Sequence, residues 1–402
     1  MSNALQPLSQ ANRDSSLDVL RGFALAGVLL TFCAGDVGSS PAYANSSLDE
    51  AVKWIKWIFI ENRMYTMLII IFGIGFHVQL EKAKQKGVSL VPVFSRRLIG
   101  LLVIGFIHAI LLSTRDLLIF YALAGIALLL VHRLSNRLLF ALMLVLFLAH
   151  GPAVRYLFPN VWPEIAALKQ PNNYVDHVQH NWQFFKLYHQ GYFIYIEMFI
   201  HFLFGFWISR TGILQKIKTN KKLRRSLLFI SLAGAAILIP GVYFWLEDFA
   251  SVLFGKITNP WLRFLISTGF RSTWQIWMLV SVTLYGTILI GLSVSDKTKR
   301  YLNPLAAFGQ MALSNYLIQS IILVPYLLAF DKYNNLPPFN GFILFLIVLA
   351  LQLLFSSWWM TRYTMGPFEW LLRSFTYWKW QQIKRSVPDE KNLKPFFLIK
   401  SN

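Results

Sequence analysis

His108 lies in the apolar run "VIGFIHAILL", and Asp116 follows in "STRDLL". An imidazole titrates near neutrality, which suits a general base. A carboxylate beside it can orient the ring, as in other acyl-transfer sites. The two are therefore candidate catalytic residues, although a turn separates them and a buried histidine also packs well without chemistry. Glu197 and His201 form a second pair. Their i, i+4 spacing stacks them on one helix face. A carboxylate in an apolar setting needs a partner or a proton. The pair reads equally as an acid/base or proton-relay site and as a bond holding two helices together. Two ligands at this spacing, with no third in view, predict no metal site.

Three further pairs could hold a substrate. Asp18 and Arg21 share a face in "LDVLRGFALAGVLL". Arginine presents two N–H groups in a fork that matches phosphate, so Arg21 could bind an anionic donor. The alternative is a local ion pair anchoring the helix at headgroup level. Arg271 and Gln275 repeat the i, i+4 spacing, as do Asn315 and Gln319 in "MALSNYLIQS". Amides inside apolar helices bond across helix pairs or hold substrate hydroxyls. Ser314 is a further polar residue in that stretch. His77 caps or snorkels, and Glu369 with Arg373 reads as a helix-stabilising pair.

The elements carrying these groups are set by solvent. Of 402 residues, 56% are hydrophobic and only 14% are charged, whereas a soluble domain is about 25% charged. A bilayer explains the deficit, because lipid-facing positions must be apolar. The expected fold is all-α: a polytopic integral membrane bundle of about ten transmembrane helices. They fall at roughly 18–37, 64–80, 97–113, 116–132, 137–152, 191–209, 226–246, 266–294, 305–329 and 339–361. The fifth is cut short by Pro152 and Arg155, and the eighth is long enough to tilt or to begin at the interface. A retained first span is expected rather than a signal cleaved after Ala44 in "PAYAN". Residues 1–17 form a polar N-terminal segment and 362–402 an amphipathic, basic tail, with "GPFEWLLRSFTYWKWQQIKR" an interfacial helix.

The net charge of +20 raises the question of nucleic acid. The basic residues instead cluster in alternate loops: "EKAKQKGVSLVPVFSRR", "HRLSNR", "RTGILQKIKTNKKLRR" and "SDKTKR". This is the positive-inside pattern. It places both termini in the cytoplasm and predicts anionic lipid headgroups, not nucleic acid, as partners. The expected location is a plasma membrane, the inner membrane of a bacterium. The largest outer loop, about 152–190, is aromatic and carries His177, His180 and His189; it lies on the membrane or caps a cavity. The lone Cys33 excludes a disulfide framework. Glycines in "FGIGF" and "FLFGF" read as packing residues.

An ordered set of stretches resembles a known family: "LDVLRGFALAGVLL", "IIIFGIGFHVQLEKAKQKG", "RRLIGLLVIGFIHAILLSTRDLLIFYALAGI", "FLFGFWISRTGIL", "FGQMALSNYLIQSII" and "GPFEWLLRSFTYW". They resemble the YeiB-like membrane proteins, classified as domain of unknown function 418. The resemblance runs from Asp18 to Trp378 and is most distinctive in the C-terminal motif region, about 226–380. The family is similar to a wider group of multi-span acyltransferases, which transfer acyl groups to sugars and related acceptors at membranes. Those enzymes often carry a histidine in the first span eleven residues after the arginine, where YeiB-like members tend to carry asparagine. Here that position is Phe32, so any base must come from elsewhere.

Three functions stay open. An acyltransferase would take an acyl-CoA-like donor from the cytoplasm, with no tightly bound cofactor, and pass the acyl group to a sugar or other envelope acceptor. It predicts a cavity lined by His108 with Arg21 nearby. A proton-coupled transporter of a small metabolite predicts a path centred on Glu197. A scaffold predicts satisfied polar groups and no continuous cavity.

Overall fold

The computed structural model describes residues 14–36, 46–113, 116–156, 161–190, 193–244, 257–330 and 336–385. Among them there is no β-strand, only an isolated antiparallel bridge between Tyr363 and Lys384. The helices are α1 Ser15–Thr31, continued by a π-turn at Phe32–Asp36; α2 Ser47–Ile55, with a π-turn at Lys56–Ile60; α3 Arg63–Gln85; α4 Val91–Leu111; α5 Leu118–Val131; α6 Asn136–Tyr156; α7 Trp162–Ala166; α8 Tyr174–Tyr188; and α9 Phe193–Arg210. They continue with α10 Ile213–Thr219, α11 Lys221–Phe244, α12 Pro260–Val294, α13 Asp296–Lys299, α14 Asn303–Gln310, α15 Ala312–Ala329, α16 Pro338–Arg362 and α17 Pro367–Tyr377.

Among the described residues, seven stretches are long and apolar enough to cross a membrane: Ser15–Ala34, Ser47–Gln85, Val91–Leu111, Lys221–Pro240, Ser272–Val294, Ala312–Ala329 and Pro338–Arg362. The other expected spans are also helical: Leu118–Val131 and Asn136–His150 are shorter apolar helices among the described residues, and α9 spans Phe193–Arg210. The stretch 305–329, expected as one helix, breaks at Met311 (φ −103°, ψ 32°) into α14 and α15. The segment around "PAYAN" and the tail beyond residue 385 lie outside the described residues.

Large apolar side chains point outward on several helices, among them Phe106 and Ile107 on α4, Phe229 and Ile237 on α11, and Leu351 and Leu354 on α16. In water such a belt would be a liability; facing lipid it costs nothing. Because lipid is as apolar as leucine, helices here associate through close packing. Glycines supply the approach. A Cβ on Gly73 would stand 2.2 Å from the Phe202 carbonyl oxygen, and one on Gly205 would stand 2.0 Å from that of Ile70. α3 and α9 therefore meet backbone to backbone, through one glycine from each of the two motifs read as packing signals. Gly22 and Gly309 do the same for α1 and α14: their added Cβ atoms would meet Leu305 O at 2.1 Å and Asp18 O at 1.9 Å.

The apolar interior forms several clusters. One, around Phe76, Phe94, Phe202 and Phe206, joins α3, α4 and α9. A second sets Leu17 and Leu20 of α1 against Ile70, Ile74 and Ile290. A third closes the far end of α1 with Leu29, Leu323, Val324 and Phe345.

Candidate functional site

A cavity of about 700 Å³ opens among α1, α3, α4, α15 and α17. One end is basic: Arg21, Lys82, Arg97, Lys218 and Arg373 line it. The other is apolar and aromatic, reaching Leu101, Leu117, Leu118, Tyr121 and Tyr316. A site of this shape suits an amphiphile with an anionic head.

The acids at the basic end are engaged. Asp14 caps α1 through Ser16 and pairs with Lys218. Burial works against its charge, yet the hydrogen bonds from Lys218 and Ser16 hold the Asp14 carboxyl below the usual range. Glu81 bonds Lys84 at 2.8 Å. Glu369 accepts the Leu313 amide at 2.7 Å, the Ser314 amide at 3.2 Å and the Ser314 hydroxyl at 2.5 Å. It therefore caps α15, whose first amides have no partner within the helix. Burial still pushes the Glu369 carboxyl up, against those three donors. The spacing of Glu369 and Arg373 suggested only a helix-stabilising pair; this cap joins segments 55 residues apart and is invisible to local spacing.

Arg97 has no carboxylate within 4.0 Å among the described residues. Its Nε is buried without a partner, and its guanidinium lies over Phe72, 5.2 Å from the ring centroid. Arg21 and Arg373 stand within electrostatic range of it. Arg97 and Arg373 also face the Tyr377 hydroxyl, whose titration burial pushes up against their pull. Three guanidinium groups around one space suit an anion. Arg21 bonds Asp18 at 2.8 Å across the i, i+3 step, and Asp18 is completely buried while Arg21 remains partly open to the cavity.

Beyond the aromatic end lies His108. α4 stops at Leu111, so His108 occupies its last turn rather than mid-span. The chain then turns and brings Asp116 back: His108 Nδ1 is 2.7 Å from Asp116 Oδ2. On the other side of the ring, Nε2 is 2.9 Å from the Ser320 hydroxyl on α15. All three residues are buried. Asp116 Oδ1 also accepts the Ile119 amide at 2.9 Å, at the start of α5. Asp116 thus caps the start of α5, whose first amides have no partner within the helix. Tyr316 stands between this group and the cavity. Its ring packs on His108 with centroids 4.9 Å apart, and its hydroxyl is 3.4 Å from Asp116 Oδ2.

The outer loop supplies a roof. α8 lies across the end of α4, where Tyr174, His177 and Asn181 donate to the carbonyls of Leu111, Leu112 and Ile110 at 3.2, 3.2 and 3.1 Å. These are the carbonyls a helix end leaves without partners. His180 is more peripheral, bonding the Lys169 carbonyl at 3.0 Å. Burial pulls the titration of both His177 and His189 down to about 4.

The remaining candidates gather elsewhere. Glu197 approaches His150 Nε2 of α6 at 3.8 Å, and Gln275 Nε2 is 2.7 Å from His150 Nδ1. A chain of polar groups thus links α9, α6 and α12. His201 is buried with its Nε2 unpartnered. His150 was not among the residues singled out from sequence, and only its depth in an apolar helix hinted at it. The side chain of Arg271 lies outside the described residues. Asn315 donates to the Phe308 carbonyl and the Ser356 hydroxyl, both at 3.0 Å. Gln319 donates to Gln352 at 2.9 Å, and Gln352 to the Asn315 carbonyl at 3.1 Å. These amides form a ladder between α15 and α16. His77 bonds Ser209 at 2.9 Å beside the basic end. No cluster of three or more metal-ligating side chains occurs among the described residues. Ser320, Tyr316 and Arg97 were not read as functional from sequence; each is an ordinary helix residue until the fold places it.

Residues 208–379 match the family described as "Protein of unknown function (DUF418)". Over 96% of its length the chain is 29% identical to "Uncharacterized protein YxaH" of Bacillus subtilis (strain 168), covering 99% of that protein. An "Uncharacterized 39.9 kDa protein in amylase 3'region" of Bacillus acidopullulyticus is 25% identical over 93% of the chain and 96% of its own length. "Uncharacterized protein YeiB" of Escherichia coli (strain K12) is 23% identical over 90% of the chain and 96% of its own length. No solved structure matches the chain. The chain is thus similar to the DUF418 family model over residues 208–379 and to these uncharacterized relatives along nearly its whole length.

Proposed function

We propose that this membrane protein is an acyltransferase that takes an acyl group from a cytoplasmic acyl-CoA-like donor. One observation carries the reading: a single cavity runs from the Arg21, Arg97 and Arg373 cluster to Tyr316, the residue packed directly on His108. The positive-inside pattern of the loops supports an arginine end on the cytoplasmic face, with both termini on that side. Donor phosphates sit among the three guanidinium groups, and the acyl chain enters the apolar stem. His108, oriented through Nδ1 by Asp116, serves as general base at Nε2. The acceptor, a sugar or other envelope hydroxyl, approaches from the opposite end under α8.

The enzyme reading anticipated His108 on the cavity lining; Tyr316 lines it instead, with its ring packed on His108. Movement of that ring would expose His108 to the cavity. The Glu197, His150 and Gln275 chain lies apart from the cavity lining, so the transport reading gains no path from it. The test is calorimetric titration of coenzyme A and acetyl-CoA into purified protein in nanodiscs, beside Arg97→Ala and Arg21→Ala. Saturable binding that both substitutions weaken supports the reading. Absence of binding by folded protein overturns it.

A further inference from the structure

We propose that Ser320 is a nucleophile, and that the acyl group is carried covalently on its hydroxyl between donor and acceptor. This rests on the acyl-transfer reading above. The observation is a relay of three buried side chains, two from the junction of α4 and α5 and one from the distant α15: Ser320 Oγ to His108 Nε2 at 2.9 Å, and His108 Nδ1 to Asp116 Oδ2 at 2.7 Å. The two contacts require one tautomer. Asp116 is anchored as an acceptor by the Ile119 amide, so the proton on the ring belongs to Nδ1, and Nε2 is left to accept the Ser320 proton. This is the role assignment of a serine nucleophile with its base and orienting acid, which is recognised by geometry and not by sequence order. A serine that merely packed in a helix would bond the carbonyl a turn before it, as Ser281, Ser293 and Ser357 do here. Ser320 instead points across to α4.

A second observation points to a ligand. The Tyr121 hydroxyl is buried on the cavity wall with no hydrogen-bond partner, within electrostatic range of Asp116. An orphan hydroxyl in an apolar wall is costly and is relieved by an incoming acceptor such as a thioester carbonyl oxygen. Tyr316 and Ser320 are four residues apart on one helix and share a face, so displacement of the Tyr316 ring uncovers the next turn, which holds Ser320.

The steps balance. Ser320 Oγ attacks the thioester carbonyl while its proton passes to His108 Nε2. The carbon–sulfur bond breaks, and the leaving thiolate takes that proton and departs as free thiol. An acceptor hydroxyl then gives its proton to Nε2 and attacks the acyl-serine carbonyl. The bond to Ser320 breaks, and its oxygen recovers the proton.

The experiment is labelling of purified protein in nanodiscs with an alkyl fluorophosphonate, read by peptide mass spectrometry, on wild type and on Tyr316→Ala, which opens the wall. The expected result is an adduct on Ser320 in at least one of the two, absent in Ser320→Ala and slowed roughly 100-fold or more by His108→Asn in the same background. No adduct in either protein, both shown folded by their melting transitions, overturns the proposal, as does an adduct that His108→Asn leaves unchanged. Coenzyme A titration of the same preparations separates the two readings: binding without an adduct removes the nucleophile and leaves the donor, whereas an adduct without binding removes the donor and leaves the nucleophile.

Discussion

His108 and Asp116 lie eight residues apart on either side of a turn, yet their side chains meet at 2.7 Å with the whole contact buried. The end of α4 and the start of α5 create that meeting. Asp116→Asn keeps the shape but stabilises the wrong tautomer of His108. The expected loss is about 10²–10⁴-fold in turnover with little change in donor affinity. Release of free thiol from acetyl-CoA in proteoliposomes, with calorimetric binding beside it, measures both.

The arginine cluster makes a different prediction. Arg97→Ala should weaken coenzyme A binding by about 10- to 100-fold, and Arg97→Lys should recover only part of it, because an ammonium lacks the planar fork. Binding by wild type should weaken as salt rises and should do so less in the variant. Equal salt dependence in the two proteins would remove Arg97 from the anion site.

The amide ladder predicts non-additivity. Gln319→Leu alone leaves the Gln352 carbonyl oxygen without its donor, a penalty of about 1–3 kcal/mol for a buried group. The double substitution Gln319→Leu, Gln352→Leu removes both ends and should be milder than the sum of the single changes. Melting midpoints of the four proteins in one detergent give the comparison.

Close helix approach should be intolerant of even a methyl group. Gly205→Ala sets a carbon 2.0 Å from a backbone oxygen of α3, and backbone cannot give way as a side chain can. Destabilisation of about 1–3 kcal/mol or more is expected, read as a lowered melting temperature. Gly269→Ala, where an added Cβ meets nothing within 4 Å, is the matched control.

The roof predicts a pH response. His177 and His189 titrate near 4 when folded, because burial disfavours their charged forms, and at about 6.5 when unfolded. Their folded values are depressed, so the unfolded chain binds more protons as pH falls. Stability is then full above about pH 6.5 and declines towards pH 4. The melting midpoint should fall across that window, and His177→Asn should flatten part of the slope.

The helical class was legible because lipid leaves a strong mark: long apolar runs can be nothing but helices in a bilayer. The glycines of α3 and α9 were legible for a related reason, since only a small residue allows backbones to touch. The His108–Asp116 pair was legible as a possibility, being local in sequence. Ser320 was not. It lies 212 residues from His108, and no helical period distinguishes a serine that bonds its own backbone from one that bonds a neighbouring helix. Glu197 shows the converse: its i, i+4 spacing to His201 was real, but packing brought His150 to within 3.8 Å of the carboxylate. The break at Met311 was hidden because both halves are apolar and no proline sits at the joint. Local pattern carries the length of an element well and its cross-bundle partners poorly.

Glu369 gives that break a further consequence. By holding the amides of Leu313 and Ser314, it fixes the height at which α15 begins. Ser320 lies six residues on, about 9 Å along the helix axis at 1.5 Å per residue. α15 cannot slide by one residue without giving up that cap. The depth of Ser320 in the bilayer is therefore set by α17, a helix that follows it in the chain and holds it from the basic end, much as a gauge is zeroed at a surface.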